Sequence, residues 1–134
     1  MQRTNFFFIV VLLLSIFACK NDLAFNRLET PEGVIEKWQG LVDSSQFEAA
    51  KQFSTARAIK WLDKNKAITE TGDSMVYPIT FKSVRCKING DSAACDCIYT
   101  MPEDSTSYQD TYLAKKINGK WLVDLSQDEL EVFE

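Results

Sequence analysis

The hydrophobic period of this chain changes once, at Gly72-Asp73, and that change constrains its fold more than any other feature. Before it, apolar residues recur at the spacing of one buried helix face; after it, β-branched and aromatic residues fill short runs separated by turn sequences. Val34, Ile35, Trp38, Leu41 and Val42 mark a first helix. Thr30-Pro31-Glu32 opens it with an N-cap hydroxyl, a proline where no amide is needed, and an acid in the first turn. Ser45 with Glu48 reads as a capping box starting a second helix, with Phe47, Ala50 and Phe53 inside. A third helix, from about Thr55 to Lys66, turns Ala58, Ile59 and Leu62 inward with Trp61 beside them.

Beyond Gly72, Met75 to Ile88 reads as extended, with Pro78 marking an edge, bulge or break. Asn89-Gly90-Asp91-Ser92 is a hairpin turn by composition and Ala93 to Met101 the return strand. Pro102 to Ser107 reads as a polar loop, and Tyr108 to Ile117 with Lys120 to Leu125 as a last hairpin around Asn118-Gly119. Ser126 and Glu129 fit one closing helical turn. Helices followed by an antiparallel meander predict an α+β domain, its N-terminal helices packed on one face of the sheet.

Upstream, Arg3 precedes Phe6 to Phe17, a run without charge that ends in Ile16-Phe17-Ala18-Cys19, the plan of a secretory signal. As a helix, such a run spans about 18 Å against a hydrocarbon core of about 30 Å, which disfavours a permanent transmembrane helix. Ile16, Ala18 and Cys19 resemble the lipobox of bacterial lipoproteins, in which signal peptidase II cuts before a lipid-modified cysteine. The resemblance implies a signal peptide over 1–18, lipid on Cys19 as the attachment to a membrane, and a place in the bacterial cell envelope. Lys20-Asn21-Asp22, with no Asp directly after the cysteine, resembles lipoproteins sent to the outer membrane rather than kept at the inner one. Residues 19–29 then read as a lipidated tether, 30–125 as the domain and 126–134 as an acidic C-terminal segment.

Without the signal, 14 Lys and Arg face 19 Asp and Glu, a formal net charge of −5. An acidic domain without a basic cluster argues against nucleic acid as a partner, and leaves membrane attachment to the acyl chains.

Four stretches carry a further resemblance: Thr30-Pro31-Glu32 leading into an apolar helix, Ser45-Gln46-Phe47-Glu48-Ala49-Ala50, Asn89-Gly90-Asp91-Ser92-Ala93, and Asn118-Gly119-Lys120-Trp121-Leu122-Val123-Asp124. Over nearly all of 30–125 the chain resembles small lipoprotein domains of unknown function in the nuclear-transport-factor-2-like superfamily. The resemblance implies a curved sheet around a long helix, a cone whose mouth is a pocket. That superfamily holds isomerases, dehydratases, transport factors and non-catalytic adaptors, so fold alone does not choose a function.

The chain has no histidine, which excludes a His-based triad, a histidine general base and the commonest zinc sets. Its five glycines are scattered at turns, with no phosphate-cradling pattern. The remaining catalytic route is a carboxylate with a tyrosine in a dry pocket, as in ketosteroid-isomerase-like members of the superfamily. Asp96, Asp110 or Asp124 with Tyr77, Tyr99, Tyr108 or Tyr112 are the candidates. None lies in a motif matching a catalytic position, and strand aspartates mostly face solvent. The expectation is therefore a non-catalytic binding or interaction domain without cofactor, its partner an envelope protein or a small ligand. An envelope enzyme, or a carrier for a small apolar ligand in the cone, is the alternative. Trp38, Trp61 and Trp121 with Phe25, Phe47, Phe53 and Phe81 are what a core of this size requires, the alternative being an aromatic binding site.

Cys86, Cys95 and Cys97 remain besides Cys19, and zinc would need a fourth ligand, so no metal is expected. If Gly90-Asp91 are the central turn residues, Cys86 faces Cys95 at a non-hydrogen-bonded pair. Such pairs hold their Cα atoms about 4.5 Å apart, inside the disulfide window of about 4.4–6.8 Å. Export from the reducing cytosol permits the bond. A turn centred on Asn89-Gly90 instead sets Cys86 opposite Ala93, leaving three small apolar residues on a core face, and both readings stand equal.

Overall fold

The computed structural model describes residues 27–73, 76–126 and 128–129. The signal, Cys19 with its proposed lipid, Phe25, Met75 and the acidic end past Glu129 lie outside the described residues. Helix α1, Pro31–Asp43, begins as its sequence dictates: the Thr30 hydroxyl accepts from the Gly33 amide at 3.2 Å and proline occupies the first position. Val34, Ile35, Trp38 and Val42 form its buried stripe. Gly33 lies against the preceding turn so closely that a Cβ there would sit 1.7 Å from the Arg27 carbonyl oxygen. Arg27 to Glu29, read above as tether, thus fold back onto the first turn of α1.

Helix α2, Phe47–Ala50, continues into a 3-10 turn, Lys51–Phe53. Ser45 does not cap it. Its amide closes α1 by donating to the Val42 carbonyl at 2.9 Å, which places Ser45 itself at φ 58°. Glu48, freed from a capping box, pairs with Lys51 at 2.9 Å and Lys66 at 3.1 Å. Helix α3, Ala56–Glu70, is capped by the Thr55 hydroxyl and runs past Lys66; Ala58 and Leu62 are fully buried.

The strands β1 Thr80–Asn89, β2 Ser92–Met101, β3 Asp104–Ile117 and β4 Lys120–Asp124 form an antiparallel sheet in sequence order. Two of the three hairpin turns follow from a glycine. Gly90, at φ 60°, takes the first central position between paired Asn89 and Ser92, while Asn118 at φ 52° and Gly119 at φ 78° make both central residues left-handed. The polar loop expected over 102–107 is mostly strand. Pairing shifts between Thr100 and Met101, and Asp104 starts β3 by accepting from the Thr106 amide and the Tyr108 hydroxyl.

Alternation along β2 buries Ala93, Cys95 and Cys97, and these meet Val34, Ile35, Trp38, Val42 and Leu62 with Ala114 and Val123 beside them. The architecture is α+β, with three α-helices among the described residues on an antiparallel sheet of four strands. Ile88 shares the face of Ala93 but is 58 % exposed, near the hairpin turn. Both sheet edges are occupied in part. On β4, Ser54 bridges Val123 in parallel and the Thr55 amide donates to the Val123 carbonyl at 2.9 Å. Along β1, the Cys86 amide donates to Glu32 Oε1 and the Ile79 amide to Asp43 Oδ2, each at 3.2 Å, so α1 lies against this edge from Cys86 to Ile79. Among the described residues no helix is long and apolar enough to cross a membrane.

Candidate functional site

Small side chains fill the sheet face towards the Gly90 and Gly119 turns, whereas its other end carries tyrosine and methionine. There a cavity of about 300 Å³ opens between α1, α3 and the sheet, lined by Trp38, Trp61, Tyr99, Met101, Asp110 and Tyr112 among others. The pairing explains why these residues share a wall: Tyr99 lies two residues beyond Cys97, Asp110 is opposite Cys97, and Tyr112 is opposite Cys95.

The rings are held in place from behind. Trp38, 2 % exposed, donates from Nε1 to Ser54 Oγ at 2.8 Å, and Ser54 Oγ in turn donates to the Ala50 carbonyl at 2.7 Å. Its ring lies 5.6 Å from that of Trp61. Tyr112 meets Phe81 edge-on at 5.7 Å, and Tyr99 stacks on Tyr108 at 5.8 Å.

A polar chain crosses the wall. The Tyr112 hydroxyl donates to Gln39 Oε1 at 2.8 Å, Gln39 Nε2 donates to Asp43 Oδ1 at 2.8 Å, and Asp43 Oδ2 accepts from Ile79. Burial lifts the Asp43 carboxyl above its ordinary range against the opposing pull of those two hydrogen bonds. Burial likewise pushes the Tyr112 phenol far up, with the charge of Asp110 adding to the shift. Tyr99 moves the same way, first from burial and then from Asp110.

The candidate carboxylates and tyrosines therefore separate. Asp110, Tyr77, Tyr99 and Tyr112 reach the cavity, while Tyr108 backs Tyr99 and is raised by its hydrogen bond to Asp104. Asp96 is exposed on the opposite face, 3.4 Å from the Thr111 hydroxyl. Asp124 corrects the expectation that strand aspartates face solvent: it is 4 % exposed at the cavity margin, accepting from Thr55 Oγ1 at 2.6 Å, with Arg57 at 3.7 Å and Lys115 at 3.5 Å. Gln39 and Asp43 had no place among the sequence candidates. The one signal for Asp43 was an acid in the last turn of a helix, where the macrodipole disfavours it unless a local donor compensates.

Proton transfer between a carboxylate and a tyrosine needs both groups aimed at one substrate position. Here the Tyr112 hydroxyl donates its hydrogen bond to Gln39, and both Asp43 oxygens accept hydrogen bonds within the wall. Tyr112 and Asp43 are thus tied into the wall, while Asp110, Tyr77 and Tyr99 line the cavity beside the rings of Trp38 and Trp61. A second hollow of about 400 Å³ lies between α2 and the end of α3, where Glu48 and Lys66 pair with each other and Glu70 also lines the wall. Among the described residues no three Cys, Asp or Glu side chains converge as metal ligands.

Behind the cavity, Cys86 and Cys95 are paired in register and joined by a disulfide, their Cα atoms 3.9 Å apart. The Cys86 amide points away from β2 towards Glu32, as at a non-hydrogen-bonded pair. Cys97 is a buried free thiol pushed up to about 11, chiefly by burial, and it donates to the Cys95 carbonyl at 3.5 Å. The native protein at pH 8 should accordingly resist thiol reagents, because the reactive thiolate is scarce and enclosed. Unfolding without reductant should expose one thiol, and reduction should raise the count to three if Cys19 is acylated. Three thiols before reduction would disprove the disulfide.

No protein-family model matches this chain, and no curated protein does either.

Proposed function

We propose that the chain is a lipid-anchored protein of the bacterial cell envelope whose domain binds a small ligand in the aromatic cavity without transforming it. One observation carries the binding part: an open cavity of about 300 Å³ walled by Trp38, Trp61, Tyr99 and Tyr112, whose framing polar groups are largely committed to one another. That size lies at the small end of ligand sites, about 300–1,000 Å³. The α+β order and the cavity at one end of the sheet support the nuclear-transport-factor-2-like reading, with the cavity as the mouth of the cone. The anchor rests on Ile16, Ala18 and Cys19 at the end of the uncharged run. The outer membrane is the favoured destination because Lys20 and Asn21, rather than Asp, follow the cysteine.

Fragment screening by NMR on the full-length protein tests the binding reading. Bound fragments should shift the Trp38, Trp61 and Tyr99 ring signals, and a screen in which none of these moves would overturn it. Failure of Cys19 to incorporate labelled acyl chains in cells would overturn the anchor independently.

A further inference from the structure

The same cavity has an electrical character that its shape alone does not require. Its lining includes Asp110, Asp124 and Glu129 but neither lysine nor arginine. Two of those carboxylates are already engaged: Asp124 by Thr55, Arg57 and Lys115, and Glu129 by the amide and hydroxyl of Ser126, at 2.7 and 3.0 Å. Asp110 differs. Its Oδ1 accepts from the neighbouring Thr111 amide at 2.8 Å, and no ion pair joins it to a basic side chain of the described residues.

Resting on the binding reading above, we propose that the ligand is an organic cation, an alkylated ammonium held against the rings of Trp61, Tyr99 and Tyr112 with Asp110 as its counter-charge. Aromatic faces attract such a cation through their quadrupoles, at solvent-accessible sites as well as buried ones. The carboxylate supplies the longer-range attraction and repels anions of the same size. The negative field of Asp110 is felt across the wall, since it contributes to the upward shifts of Cys97, Tyr99 and Tyr112. A compact metal ion fits less well, because it needs several converging oxygen or sulfur ligands and none converge among the described residues. A diffuse cation needs rings and one carboxylate.

The test compares choline with 3,3-dimethylbutan-1-ol, which replaces the ammonium nitrogen by carbon and leaves the shape unchanged. With the full-length protein, choline should shift the cavity ring signals at a concentration at least tenfold lower than the neutral alcohol does. Asp110→Asn should cut the preference for choline severalfold, down to the part the rings supply, while Asp110→Glu should keep it. Raising the salt concentration should narrow the gap in the native protein alone. Equal binding of both probes at the rings would overturn the cation inference and leave the binding reading standing. So would choline failing to move rings that neutral fragments do move. A cavity that no compound enters would remove both.

Discussion

Replacing Trp38 with alanine should destabilise the domain by about 3–5 kcal/mol, the range for truncating a large buried aromatic. Three losses combine at this residue. The side chain is 2 % exposed at the centre of the core, its ring contacts Trp61, and its Nε1 is the donor to Ser54 Oγ. Trp38→Phe should keep most of the packing and lose the hydrogen bond, at a cost of about 1 kcal/mol or somewhat more. Urea unfolding of the two variants separates packing from hydrogen bonding. An unchanged midpoint for Trp38→Ala would mean that this face of α1 is not against the sheet.

Asp124→Ala should cost about 2–3 kcal/mol, and for a different reason. The carboxylate sits at the end of β4 against the start of α3, where the buried Thr55 hydroxyl donates to it and at the same time caps the helix. Removing it leaves that hydroxyl without its acceptor, the expensive side of hydrogen-bond deletion. The ion pairs contribute less, because the Arg57 and Lys115 side chains are 36 % and 48 % exposed and screened by water. Asp124→Asn, which keeps an acceptor oxygen, should therefore recover more than half of the lost stability, and Arg57→Ala should cost under about 1 kcal/mol. Equal losses for Asp124→Asn and Asp124→Ala would shift the weight back to charge.

The elements were legible where local chemistry and burial agree. Thr30-Pro31 at the start of α1, the stripe from Val34 to Val42, and both glycine turns follow from rules that act within a few residues. The register that sets Cys86 opposite Cys95 was one of two open to the sequence, and the structure has the one in which Gly90, rather than Asn89, takes the first left-handed position. The misreadings were tertiary. Ser45 carries a capping-box pattern, yet closing α1 claimed its backbone first. Residues 104–107 look like loop because their side chains are polar, although strand pairing with β2 fixes their backbone. The cavity was the least legible feature. Its wall draws on α1, α3, β2 and β3, and nothing in local spacing says that Asp110 lines the cavity while Asp124 is tied to a helix cap.

The carboxylates of Glu32 and Asp43 on the outer side of β1 bear on how copies of this protein behave towards one another. An open strand edge is a template for further strands, and self-association begins there. Here the amides of Cys86 and Ile79 are already satisfied by acids projecting from α1. A second copy approaching with its own β1 would have to displace them and would bring carboxylate against carboxylate in either strand orientation. Acidification weakens this guard at Asp43, whose carboxyl burial raises above its ordinary range. Clumping through β1 is thus restrained by charge at neutral pH, and the restraint relaxes in acid.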